Sequence, residues 1–146
     1  MKTECIFCIS DKNVGNKAVQ SERILHEYTH WWLLLQPELK RLLTKQAAGI
    51  LVSKRHAAVV SELTPEELSE ALAVYKQSSR ILCGAVGVTY MEQETVAFNE
   101  GAQAGQTVEH AHIHILPVAQ EDPEQLKVRG GLGGAFEALR RERLGQ

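Results

Sequence analysis

The chain has 146 residues, a net charge of −2 at pH 7, and a composition that is 44% hydrophobic and 23% charged. This is the make-up of one ordinary soluble globular domain with enough apolar side chains to bury a core. It excludes a broad basic surface for bulk binding of nucleic acid, and the longest apolar run, Trp31 to Leu35, is far too short to span a bilayer.

Met1-Lys2-Thr3-Glu4-Cys5 leads into polar sequence rather than an apolar signal core, so no secretory leader is expected. Three cysteines, two of them as Cys5-x-x-Cys8, do not suggest a secreted disulfide framework. A cytoplasmic location is the default expectation, with no membrane and no nucleic-acid partner.

After the Cys5–Cys8 knuckle, Ser10 to Asn16 reads as loop. Arg23–Tyr28 and Trp31–Leu35 read as two short strands with Thr29 and His30 at the turn, the second ended by Pro37. Pro37 to Ala47 is a cationic surface segment carrying Lys40, Arg41 and Lys45, and Gly49–Ser53 reads as a third strand opening onto Lys54-Arg55-His56.

Thr64-Pro65-Glu66-Glu67 is a helix start: Thr64 suits the N-cap, Pro65 the first helical position, and Glu67 completes a capping box. Leu68, Leu72, Tyr75, Ser79 and Leu82 share one face of that helix, flanked by Ala71 and Ile81. The helix is expected to end near Cys83, with Gly84 as terminator. Val86–Glu92 and Thr95–Phe98 fit a long strand or a hairpin, followed by the turn-rich loop Asn99–Thr107.

That loop feeds the most informative stretch, His110-Ala111-His112-Ile113-His114-Ile115-Leu116-Pro117. Strict alternation is the strand period and sends three imidazoles to one face, with Ala111, Ile113 and Ile115 toward a core. Pro117, lacking an amide hydrogen, is expected to end the ladder. Beyond it, a short helix near Glu121–Glu124, a glycine-rich segment Arg129–Gly134 and a terminal amphipathic helix from Ala135 to about Leu144 complete one domain without internal repeats.

A row of imidazoles can bind metal or phosphate, or act as nucleophile and proton carrier near neutral pH. The paired cysteines lack a preceding strand, which disfavours a redox motif, and a zinc knuckle needs two more ligands in tetrahedral Cys/His coordination. Cys83 falls inside the helix, so histidines must complete the site: His56 and His110 are the first choice, with His26 and His30 as alternatives that spacing does not separate. With His110 on a metal, His112 and His114 remain for chemistry, one imidazole attacking phosphorus and its neighbour holding a phosphate oxygen or a proton. Gly105 and the rest of the glycine-bearing loop can offer backbone N–H groups to that phosphate.

These residues resemble the histidine triad (HIT) family, whose signature alternates three histidines with apolar residues. His110 to Leu116 satisfies every position. Asn99-Glu100-Gly101 and Ala104–Val108 also look like the family's segments, and Gly105-Gln106-Thr107-Val108 followed by the triad and Pro117 is similar to the dinucleoside polyphosphate hydrolase branch. The Gly49–His56 strand and the Cys-x-x-Cys resemble zinc-containing microbial members.

The resemblance implies an α+β fold: a five-stranded antiparallel sheet with one long helix and short terminal helices, paired as a homodimer. The whole of 1–146 would be one domain, with its core at 5–117 and a C-terminal extension at 118–146. His112 would attack the α-phosphorus of a small-molecule nucleotide and become nucleotidylated, and His114 would contact the phosphate. Asn99 and Thr107 would help place phosphate and leaving group, and Gln106 would lend its backbone N–H. Zinc would sit on Cys5, Cys8, His56 and His110.

This chain has Gln36 where relatives commonly carry an Asp or Asn for the ribose, so Gln36 is the candidate substitute. The expected function is hydrolysis of a dinucleoside polyphosphate or nucleoside phosphoramidate. The rivals are a nucleotidyltransferase or phosphorylase using the same intermediate, and a non-catalytic zinc-stabilised nucleotide-binding module. The third histidine favours water as acceptor.

Overall fold

A computed structural model describes residues 5–8, 24–36, 47–121, 140 and 144–145. The strands are β1 (Ile24–Glu27), β2 (Trp31–Leu35), β3 (Gly49–Ser53), β4 (Tyr90–Ala97) and β5 (His112–Ala119), with one long helix, α1 (Pro65–Val86), between β3 and β4. The strands form one antiparallel sheet in the order β1-β2-β3-β5-β4.

β2 is a continuous apolar run because both of its faces are covered. Trp31 and Leu33 join Leu51, Ala111, Ile113 and Ile115 in a core that includes Ala71, Leu82 and Cys83 of α1, while Trp32 and Leu34 cluster with Ile50 and Val52 on the opposite face, where Phe7 and Ile24 pack. Gly49 sits where helix and sheet approach closely: a Cβ there would lie 2.7 Å from the Leu34 carbonyl oxygen and collide with Leu82. No side chain larger than hydrogen fits that crossing.

The capping box forms as read. The Glu67 N–H donates to Thr64 Oγ1 at 3.2 Å and the Thr64 N–H to Glu67 Oε1 at 2.8 Å. At the other end, α1 runs through Gly84 to Val86 and stops at Gly87, which takes φ 78°. The Gly87 N–H donates to Gly84 O and the Val88 N–H to Cys83 O, the paired bonds of a Schellman ending. The left-handed turn therefore selects Gly87, and the exposed Gly84 is carried in the helix for roughly 1 kcal/mol relative to alanine. The expected helical face holds, with Ala71, Ser79 and Leu82 buried and Leu68, Tyr75 and Ile81 packed against the core, except that Leu72 is 72% exposed.

Residues 90–97 make a single strand that starts after Val88, with a register break between Tyr90 and Glu94 and Glu92 at φ 62°, a bulge at the sheet edge. Pro117 does not end β5. The β3 partner reaches only to Ile115, so the missing proline N–H falls where no strand would receive it, while Glu94 of β4 pairs Pro117 from the other side. The basic segment 38–46, the glycine-rich segment 129–134 and most of the expected terminal helices lie outside the described residues.

Candidate active site and metal centre

β5 places His112 opposite Val52 and His114 opposite Ile50, on the sheet face away from α1. His110 precedes the strand in a bend, yet the alternation holds, because Ala111, Ile113 and Ile115 enter the helix-side core. All three imidazoles are buried. The His112 and His114 rings stand edge to face with centroids 5.3 Å apart.

The two ends of His110 face different partners. Its Nε2 lies 2.7 Å from the Ser53 carbonyl oxygen, which can only accept, so Nε2 carries the proton and Nδ1 holds a lone pair. Burial pushes the His110 pKa down to about 4, which keeps the ring neutral.

That lone pair points into a cluster of donor atoms: Cys5 Sγ at 3.3 Å, Cys8 Sγ at 3.6 Å and His56 Nδ1 at 3.1 Å. Cys8 Sγ is also 3.2 Å from His56 Nδ1, and all four ligand atoms lie within 4.8 Å of one another. Zinc–sulfur bonds of about 2.3 Å and zinc–nitrogen bonds of about 2.0–2.1 Å give tetrahedron edges of roughly 3.3–3.8 Å. The contacts of 3.1–3.6 Å lie close to those edges, and two thiols with two imidazoles are a structural zinc donor set. Burial, with the neighbouring Cys5, pushes the Cys8 thiol up to about 11, so a bound cation is what would hold its sulfur as a thiolate.

Of the four histidines left open by spacing, His56 and His110 converge on the cysteines. His26 instead stacks obliquely on Tyr28, and the His30 N–H is bound by Glu70.

His112 is oriented by backbone. Its Nδ1 lies 2.7 Å from the His110 carbonyl oxygen, so Nδ1 donates and Nε2 presents its lone pair. Burial lowers the His112 pKa, and burial, followed by the charge of His112, takes His114 down to about 4. Burial therefore favours the neutral form of both rings. Phe7, between the two cysteines, sets its ring 5.2 Å from that of His112 and 6.1 Å from that of His110. The knuckle thus reaches both the Cys/His cluster and the histidine row, a contact with no signature in the sequence.

β4 ends with Ala97 opposite His114, so the loop 99–107 leaves the sheet beside the triad. Asn99 Nδ2 donates to the Ala104 carbonyl at 2.7 Å, folding the loop onto itself, and Gly105 takes φ 101°. Gly105 and Thr107 are exposed.

Gln106 has all its reach inside the protein. Its Oε1 accepts from the Gly101 N–H at 2.7 Å, its Nε2 donates to Ala58 O at 2.7 Å and Val108 O at 2.8 Å, and its own N–H donates to Gly101 O at 3.1 Å. Glu100 adds a second tie by accepting the Ser61 N–H and hydroxyl at 3.0 and 2.7 Å. Gln36 lies across the sheet, its Oε1 3.3 Å from His114 Nδ1. The structure thus gathers His112, His114 and Gln36 on one face, with the loop bearing Asn99, Gly105, Gln106 and Thr107 at its margin.

Residues 46–121 match the HIT domain model. The chain is 25% identical over 117 residues to the adenosine 5'-monophosphoramidase of Saccharomyces cerevisiae, covering 80% of this chain and 64% of that protein. It is 33% identical over 78 residues to the bis(5'-adenosyl)-triphosphatase of Dictyostelium discoideum, covering 51% of this chain and 48% of that one. It therefore spans less than two thirds of either relative's length. The fold superimposes on a HIT family protein from Bacillus anthracis with a TM-score of 0.57 at 23% identity, over 77% of this chain and 72% of that one. A triad at every signature position, on the fold of a solved HIT protein and inside a matching domain model, makes this chain a member of the HIT family.

Proposed function

We propose that this chain hydrolyses a nucleotide at its α-phosphate, taking a dinucleoside polyphosphate or a nucleoside phosphoramidate, through a nucleotidyl intermediate on His112. The observation that carries this reading is the 2.7 Å contact between His112 Nδ1 and the His110 carbonyl, which leaves Nε2 neutral and nucleophilic.

Nε2 forms a bond to phosphorus as the bond from phosphorus to the leaving group breaks; a phosphate leaves as its anion, and an amine leaves carrying a proton taken from solvent, which the attacking water returns in the second step. The imidazolium so formed keeps its Nδ1 proton on the His110 carbonyl. Water then attacks phosphorus, Nε2 departs as neutral imidazole, and the nucleoside monophosphate is released. His114 faces the same space and holds a phosphate oxygen or takes the proton of that water. Asn99, Gly105, Gln106 and Thr107 form the loop that receives the phosphates, and Gln36 stands beside the ribose end. Two relatives are named for these substrate classes, a phosphoramidase and a triphosphatase.

Cys5, Cys8, His56 and His110 would hold a structural zinc, the group supplying a fixed cross-link between the N-terminal knuckle and the segments before the triad. The chain works as a homodimer in this reading, with the exposed Val96 and Phe98 at the β4 edge facing a second copy.

The test mixes purified protein with adenosine phosphoramidate or diadenosine triphosphate, quenches in base and looks for an acid-labile adenylylated chain. Wild type should label and release AMP, and His112→Ala should do neither. Equal AMP release by the two would end this proposal.

A further inference from the structure

Ser53 closes β3 and is completely buried. Its carbonyl receives the His110 Nε2 proton at 2.7 Å, and its hydroxyl lies 2.8 Å from the Arg55 carbonyl and 3.3 Å from that of Ala111. A serine hydroxyl has one proton to give, and both neighbours can only accept, so the nearer Arg55 carbonyl is its main partner. That bond pulls the turn 53–56 back on itself one residue before His56. The turn is further held by the Lys54 N–H on the His30 carbonyl at 2.9 Å, and by the Arg55 side chain on Glu67 at 2.9 Å. One residue therefore touches both histidine arms of the donor cluster, His110 through its carbonyl and His56 through the carbonyl that precedes it.

We propose that Ser53 is a positioning residue for the metal centre: its hydroxyl sets where the His56 imidazole falls relative to His110, and so sets metal affinity and geometry. This rests on the zinc reading given above. Groups that orient metal ligands in this way typically change affinity by roughly 10–100-fold when removed. Alanine at 53 keeps the carbonyl that orients His110 and removes the hydroxyl, whose main contact is Arg55 O and whose longer one is Ala111 O, so its effect reports chiefly on the His56 arm.

The experiment measures zinc affinity of the full chain by competition with a chromogenic chelator, together with the absorption spectrum of the cobalt(II) form. S53A should bind zinc about 10-fold more weakly than wild type and show shifted cobalt bands. S78A is the control. Ser78 is an equally buried serine, its hydroxyl on Val74 O and Tyr28 in α1, and its loss should lower stability without moving zinc affinity or the cobalt spectrum. S53T and S53V, alike in shape and different in the hydroxyl, repeat the comparison at constant volume should S53A fold poorly.

Equal zinc affinity and identical cobalt spectra for wild type and S53A, or for S53T and S53V, overturn the role of Ser53 and leave the metal site standing. A wild-type chain that takes up no zinc overturns the metal site itself, and with it the role of Ser53.

Discussion

The His112 ring hangs from the backbone of His110, Nδ1 to carbonyl oxygen at 2.7 Å. The residue that would hold the metal through its side chain therefore also orients the proposed nucleophile through its main chain. His112→Ala removes the proposed nucleophile but leaves the loop, Gln36 and His114 in place. Turnover should fall by about 10³-fold or more, while affinity for AMP, read by calorimetry, stays within a few-fold. A mutant whose turnover and affinity fall together would place His112 in binding alone.

Metal removal should act on both stability and chemistry. Elemental analysis should give about one zinc per chain, and Cys5→Ser or Cys8→Ser should deplete it. Because the metal binds the folded donor set, chelation should lower the melting temperature by on the order of 10 °C. It should also slow turnover, since Phe7 rests on His112 from the same knuckle. A chelated protein that melts like the loaded one would argue against a structural metal.

Gln106 makes its contribution by holding the loop. Gln106→Leu strands the Gly101 N–H and the Ala58 and Val108 carbonyls. Such a loss should cost about 1–3 kcal/mol of stability, read by urea unfolding. It should raise KM more than it lowers kcat, because the loop proposed to receive the phosphates loses its frame while His112 keeps its own. An unchanged KM would remove the loop from substrate binding.

Glu67 should make stability depend on acid. Its carboxylate is held below the usual range, first by the hydrogen bond from Arg55, against the opposing effect of burial, with the Thr64 N–H helping. A carboxylate lowered in the folded state gives stability that is fully present above its unfolded value near 4.5 and is lost as pH falls through the lower folded value. In metal-free protein, the stability difference between wild type and Glu67→Gln should therefore be constant from pH 7 to about pH 5 and shrink below pH 4.5. A constant gap down to pH 3 would deny the shift.

Pairing through the β4 edge predicts a dimer by light scattering. Val96 is 38% and Phe98 48% exposed there, so Phe98→Lys should shift the chain toward monomer with little change in unfolding midpoint extrapolated to low concentration. A monomeric wild type at micromolar concentration would end the homodimer reading.

Much of this site could be read from short stretches, because short-range geometry fixes it. The strand period alone sends His110, His112 and His114 to one side and Ala111, Ile113 and Ile115 to the other. The Thr64–Glu67 capping box closes within four residues and needs no partner from elsewhere. Local signals misled where the deciding partner was distant or competing. Gly84 looked like a helix end, but Gly87 was three residues further and took the left-handed turn. Pro117 looked like a strand end, but whether its missing N–H matters depends on how far β3 extends.

The sequence by itself determined the alternating histidine row, the helix start and the donor types, since each depends on φ/ψ preferences and spacing within one element. Only the tertiary structure decided which histidines meet Cys5 and Cys8, contacts that span 48 to 105 residues of chain. It alone gave Ser53 both histidine arms, turned the Gln106 carboxamide inward, and laid Phe7 on His112. Those choices follow from how the sheet orders β3 beside β5, a long-range pairing that no local pattern encodes.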